Sequence, residues 1–135
     1  MENRRSFMMK MAAGMATTSL IAIAKQANAK EHPVKKVLVH HVFFWLKEPK
    51  NEKARNDFEI GLKALVNVPL VEYSHVGTPV ESSRDVVDDS FTYSYIAYFN
   101  NEEDQTIYQT HPIHLKFIED CQHLWEKVVV YDAMN

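Results

Sequence analysis

The sequence holds one cysteine, three glycines and five prolines in 135 residues, and its 15 basic side chains are outnumbered by 18 acidic ones. A single cysteine cannot close a loop within its own chain, which excludes a disulfide scaffold. The net charge of −3 excludes nucleic-acid binding through bulk positive charge, because phosphate neutralisation needs a strongly basic balance. Little glycine and ordinary proline beside 46% hydrophobic residues also argue against a disordered or low-complexity chain. The length suits one globular domain.

What is present is unevenly spread. Residues 1–29 hold Arg4, Arg5, Lys10 and Lys25 against Glu2 alone, with five of the six methionines and one aromatic, Phe7. A basic start, an apolar run from Met11 to Ala24 and a small-residue end at Ala27-Asn28-Ala29 are the three parts of an export signal, with cleavage expected after Ala29. The run Asn3-Arg4-Arg5-Ser6-Phe7-Met8-Met9-Lys10 resembles the twin-arginine export motif. Gly14, Thr17, Thr18 and Ser19 keep the apolar stretch mild, and Lys25 precedes the cleavage site, which favours that route. The expectation is a periplasmic or secreted domain, with the twin-arginine export machinery as a transport partner. A retained anchor is the alternative, although the stretch is shorter than the ~20 apolar residues of a spanning helix. Without this segment the chain keeps 11 of the 15 basic and 17 of the 18 acidic residues, all seven histidines and 14 of the 15 aromatics.

Residues 30–36 are polar, contain Pro33 and read as a linker. From Val37 to Leu46 β-branched and aromatic residues occupy both alternate faces, as in a strand covered on both sides. Ala54, Phe58, Leu62 and Leu65 then recur at helical spacing over Asn51–Val66, and Pro69 closes that helix. Val71–Gly77 reads as a second strand and Phe91–Phe99 as a third, whose Phe91, Tyr93, Tyr95, Ala97 and Phe99 are expected on one face. Asn100 or Asn101 can cap a helix opening on Glu102, Glu103 and Asp104 and ending near Thr110. Pro112 can start a second segment running to about Trp125, and Lys127–Ala133 supplies a fourth strand. The order β, α, β, β, broken α, β is an α+β, ferredoxin-like βαββαβ arrangement with a four-stranded antiparallel sheet. Apolar groups on both faces of strands one, three and four would leave a large exposed patch on a monomer, so a homodimer closed into an α/β barrel is expected.

The runs Val39-His40-His41-Val42-Phe43-Phe44-Trp45-Leu46-Lys47, Tyr108-Gln109-Thr110-His111-Pro112-Ile113-His114 and Leu124–Asp132 together resemble the stress-responsive dimeric A/B barrel (Dabb) family, over about residues 37–135. The resemblance implies the same fold. Polyketide cyclases of that family work without cofactor or metal, through an acid/base pair that matches Tyr108 and His114. A strand-one histidine lining their pocket corresponds to His41, and a third-strand pocket histidine falls at Tyr93, a departure that counts against the cyclases' own substrate and reaction.

Tyr108 and His114 lie six residues apart, roughly 240° around a straight helix, and converge only if the helix breaks between them. Pro112 supplies the break. An imidazole can then take a proton beside a carbonyl while a phenol donates to the developing enolate oxygen; alternatively both residues serve only backbone groups. His111 and His114 are three apart, but no nearby Asp, Glu or Cys completes a zinc spacing, so no metal is expected and His111 reads as a cap; that no cofactor is expected is what the resemblance implies. His40 and His41 must point to opposite faces, one toward the helices as a buried, hydrogen-bonded histidine and the other into the barrel. His75, His123 and Cys121 read as structural or surface residues. Strand parity groups His41 with Phe43 and Trp45, which with Tyr93 and Tyr95 form a candidate ligand wall. The functional expectation is an exported dimer that binds a small apolar or aromatic carbonyl compound, with cofactor-free acid/base catalysis as its enzymatic form. A non-catalytic, stress-linked binding or structural dimer is the alternative, and a haem-binding or monooxygenase-like barrel is a third.

Overall fold

The computed structural model describes residues 35–135. The expected export signal and nearly all of the expected linker lie outside the described residues. Seven elements follow: β1 (Leu38–Leu46), α1 (Glu52–Leu65), β2 (Tyr73–Gly77), β3 (Tyr93–Phe99), α2 (Glu102–Thr110), α3 (Pro112–Cys121) and β4 (Trp125–Met134). The strands form one antiparallel sheet in the order β2-β3-β1-β4, the expected ferredoxin-like topology with the long helix of the second unit split in two.

Local chemistry sets the helix ends. Asn51 caps α1 by accepting the Ala54 N–H at 3.1 Å, and Asn101 caps α2 by accepting the Asp104 N–H at 2.8 Å. Three carboxylates in the first turn of α2 meet the positive end of its dipole. The buried stripe of α1 is Ala54, Phe58, Leu62 and Leu65, the four residues its spacing singles out. One sheet face receives it: Leu38, Val42, Phe44 and Leu46 of β1 and Tyr93, Tyr95, Ala97 and Phe99 of β3 are all buried under the helices. Helices α1 and α3 approach closely at Gly61, where a Cβ would stand 2.5 Å from Cys121 Sγ and 2.9 Å from Phe117 Cδ2.

Three expectations need correction. Helix α3 stops at Cys121, and Trp125 opens β4, where its indole stacks on Phe117 at 5.8 Å. Phe91 is outside β3 and does not share the Tyr93 face, because Thr92 turns inward. There its hydroxyl accepts the Leu46 N–H at 3.0 Å and its own N–H reaches Phe44 O at 2.7 Å. Alternation is broken at Thr92, and Phe91 packs edge-on against Phe43 from the other side of the sheet.

Among the described residues that other side bears no helix. Direct cross-strand pairing aligns His41 with Ile96 and Tyr131, Phe43 with Ser94 and Val129, and His75 with Ile96, so these side chains share the helix-free face. Tyr73 and Tyr98 pack there too, 5.5 Å apart, and the Lys127 ammonium sits 4.2 Å above the Trp45 ring. It is an aromatic and aliphatic surface that runs across all four strands.

Candidate functional site

The break between α2 and α3 builds the site. His111 has extended backbone (φ −64°, ψ 139°) ahead of Pro112, whose ring disfavours helical angles in the residue before it. His111 then caps α3, its Nδ1 accepting the Ile113 N–H at 3.2 Å. The change of axis lets His114, in the first turn of α3, face Tyr108, in the last turn of α2. Their ring centroids lie 4.8 Å apart.

The sheet adds two more polar groups from below. Tyr95 of β3 accepts from the Tyr108 hydroxyl at 3.4 Å, and His40 of β1 sets its ring 6.0 Å from that of Tyr108. Opposite His40 in the β1–β4 ladder stands Asp132, whose Oδ1 is 2.6 Å from His40 Nδ1. The carboxylate only accepts, so Nδ1 carries the proton in this pair and Nε2 is the acceptor nitrogen of the neutral ring.

These groups line one cavity of about 420 Å³ between the sheet and α2–α3. Its remaining wall is mostly apolar, from Val42, Phe44, Leu65, Phe117, Ile118, Trp125, Val128 and Val130, with the amides of Gln105 and Gln109. Among the described residues no lysine or arginine lines it. A larger hollow of about 630 Å³ lies between α1 and α3 beside Gly61 and Cys121, but there the one lysine is paired with Asp120 and burial raises the thiol to about 11, away from nucleophilic use.

Burial tunes the cavity groups in opposite senses. It lowers the pKa of His114, as does the charge of His40, while the nearby Gln109 carbonyl pulls the other way without reaching hydrogen-bond geometry at Nδ1. His114 is therefore a neutral imidazole near pH 7, with its buried Nδ1 unpartnered. Burial raises the phenols of Tyr108 and Tyr95, so both stay protonated. A neutral base and a neutral phenol side by side can remove a proton from one atom of a ligand and donate to another.

The sequence grouping of His41, Phe43 and Trp45 with Tyr93 and Tyr95 is divided by the structure. His41, Phe43 and Trp45 are on the helix-free face, whereas Tyr93 and Tyr95 point to the helices. The reason is register, since Phe43 pairs with Ser94 and not with a tyrosine. His40, not His41, is the strand-one histidine beside Tyr108 and His114. Tyr93 is occupied elsewhere, donating to Glu59 Oε1 at 2.6 Å beneath the Arg55 guanidinium; burial and the Glu59 bond take its phenol up to about 12 against the opposing pull of Arg55. Sequence reasoning missed Asp132, Gln105 and Gln109. Helical spacing along α2, with Gln105 three residues before Tyr108 and Gln109 four after Gln105, was a usable signal for the glutamines.

Residues 38–135 match the stress responsive A/B barrel domain, Dabb. The chain belongs to this family. Among solved structures it resembles a Dabb family protein with a ferredoxin-like fold from Mesorhizobium loti, at 21% identity over 73% of this chain and 95% of that one, with a TM-score of 0.61. It also resembles a hydroxynitrile lyase from Passiflora edulis, at 22% identity over 75% and 94% with a TM-score of 0.65. A third is a dimeric ferredoxin-like protein of unknown function from Thermobifida fusca, at 15% identity over 74% and 92% with a TM-score of 0.59. At these identities the likeness is one of fold. No curated protein matches the chain.

Proposed function

We propose that this Dabb protein binds a small, uncharged apolar or aromatic carbonyl compound in the cavity beneath α2 and α3, and moves protons on it with His114 and Tyr108 without a cofactor. One observation carries the reading: the cavity is apolar except for a convergent set of imidazoles, phenols and amides and the Asp132 carboxylate paired with His40, and among the described residues it offers an anion no lysine or arginine. In such a site His114 takes the proton next to the carbonyl and Tyr108 donates to the oxygen on which charge develops. His40, its Nδ1 held by Asp132, offers Nε2 as an acceptor to a hydroxyl of the ligand from the sheet side. The hydroxynitrile lyase among the structural relatives is named for a reaction of carbonyl-derived compounds, which is the same class of chemistry.

The test is hydrogen–deuterium exchange at the α-carbon of small aromatic ketones in D2O, followed by NMR. The wild type should accelerate exchange, and His114→Ala and Tyr108→Phe should abolish the acceleration. Binding without exchange would select the non-catalytic alternative, and a panel of neutral ketones and aldehydes that leaves the cavity resonances unmoved would overturn the reading.

The working form is a homodimer joined through the helix-free sheet face. Its support is the aromatic surface there, together with structural relatives described as dimeric. The protein is exported by the twin-arginine route, on the strength of Arg4, Arg5, Phe7, Ala27 and Ala29. A reporter fused to residues 1–35 should lose export when both arginines become lysine.

A further inference from the structure

The helix-free face is poor in acids. His41 stands near its middle, flanked by Ile96 of β3 and Tyr131 of β4, with His75 of β2 on the far side of Ile96. The His41 ring lies against Phe43 at 4.1 Å, and its Nε2 is buried without a hydrogen-bond partner. The charges that reach His41 are those of His40 behind it and His75 beside it, and both oppose its protonation. Other titratable groups on the face are the phenols of Tyr73, Tyr98 and Tyr131 and the ammonium of Lys127. At the Trp45 end, Glu126 lines a hollow with Trp45 and Asp88 lies within reach of the Lys127 charge. Trp45 is four residues along β1 from His41, about 13 Å away.

A two-fold contact between copies is self-complementary, so a second copy brings the same face and the same shortage of acids. Lining the face against itself would take water from His41 of both copies and supply no counter-charge to either. We propose that this face is a proton-sensitive contact between two copies of the chain, in which neutral His41 permits association and its protonation opposes it. The inference rests on the homodimer read above and adds how that dimer is regulated.

The sign follows from linkage. Burial has already lowered His41 in the single protomer, and the contact lowers it further, so association expels protons. The dimer is at full strength above the ordinary histidine range, near pH 6.5, and weakens as pH falls below it. Each histidine that must shed a proton raises Kd about tenfold per pH unit, so His41 of the two copies gives about a hundredfold per unit at the steepest.

Sedimentation equilibrium of the mature protein at pH 8, 7, 6 and 5 and constant ionic strength reads this directly, with near-UV circular dichroism confirming that the fold persists at each pH. The expected result is a dimer at pH 8 whose Kd climbs below pH 6.5, and a much flatter profile for His41→Phe. His41→Gln, which keeps polarity and cannot take a charge, serves should the larger ring disturb packing. A dimer with the same Kd at every pH, or a slope unchanged in both His41 variants, overturns this proposal and leaves the homodimer standing. A monomer at pH 8 overturns the homodimer and the proposal with it. Tightening in acid would mean that a carboxylate of the second copy meets His41, the opposite of what is inferred.

Discussion

Replacing Tyr108 by phenylalanine separates a functional hydroxyl from a structural one. The ring is 1% exposed and packs on Phe99 at 5.0 Å, His114 at 4.8 Å and His40 at 6.0 Å, and phenylalanine keeps every one of those contacts. Only the hydroxyl goes. Its protein partner is the Tyr95 hydroxyl at 3.4 Å, well past the ~2.5–3.0 Å of a good O–H···O bond. A normal neutral hydrogen bond contributes about 0.5–1.5 kcal/mol net, so this stretched one belongs at or below the lower end. The variant should therefore lose no more than about 0.5 kcal/mol, a shift of about 2–4 °C in Tm for a domain near 100 residues. Loss of a general acid, by contrast, slows proton transfer by about 10²–10⁴-fold. Thermal unfolding at fixed protein concentration and ketone exchange, run on one preparation, measure both. Tyr93→Phe supplies the contrast in stability, since its hydroxyl donates to a carboxylate at 2.6 Å and its removal should cost about 1.5 kcal/mol or more. Destabilisation of Tyr108→Phe beyond that of Tyr93→Phe would show that the Tyr108 hydroxyl holds the fold together, and exchange at the wild-type rate would remove it from the chemistry.

Other perturbations test the surroundings. Asp132→Ala leaves Nδ1 of His40, a residue 5% exposed, without its partner and should cost about 1–3 kcal/mol in urea unfolding, whereas Asp132→Asn retains an acceptor and should cost less than half as much. Gly61→Ala gains about 1 kcal/mol of helix propensity but drives a methyl to 2.5 Å from Cys121 Sγ. Overpacking of that kind costs about 1–3 kcal/mol, so net destabilisation is expected, and Cys121→Ala in the same chain should recover part of it; simple additivity in the double mutant would refute the contact. Because folding lowers the pKa of His114, ketone exchange should persist as pH falls to 6.5 and disappear only below it; loss already at pH 7 would contradict a neutral buried base. The same group contributes stability that is complete above pH 6.5 and declines in more acid solution.

Element order was legible because each segment carries its own period. Ala54, Phe58, Leu62 and Leu65 announce α1 from spacing alone, and Pro112 announces the α2–α3 break because no tertiary contact is needed to forbid helical angles before a proline. Where a boundary was misjudged, a distant partner decided it. Phe91 leaves the β3 ladder because Thr92 is drawn in by the Leu46 N–H, 46 residues away in the chain. Trp125 joins β4 because that strand pairs with the end of β1, at a bulge between Trp45 and Leu46 that the sequence does not mark.

The histidine pair of β1 exposes a deeper limit. Alternation guarantees that His40 and His41 face opposite ways, but it identifies the inner one only if one face is polar, and here Leu38, Val42, Phe44 and Leu46 alternate with Val39, Phe43 and Trp45. A strand that is apolar on both faces has hidden its orientation, because hydrophobic pattern reports burial and not what does the burying. The missing information is the register of β4, which sets Asp132 opposite His40. With it the two adjacent imidazoles acquire separate environments: His40 takes a carboxylate partner inside the cavity, while His41 keeps a buried, unpartnered Nε2 on the aromatic face. His40 nonetheless acts electrostatically in both directions, opposing protonation of His114 within the cavity and of His41 across the sheet. One strand thus carries a shared electrostatic term to both faces, and a variant that removes His40 should ease protonation at both, which parity alone could never have suggested.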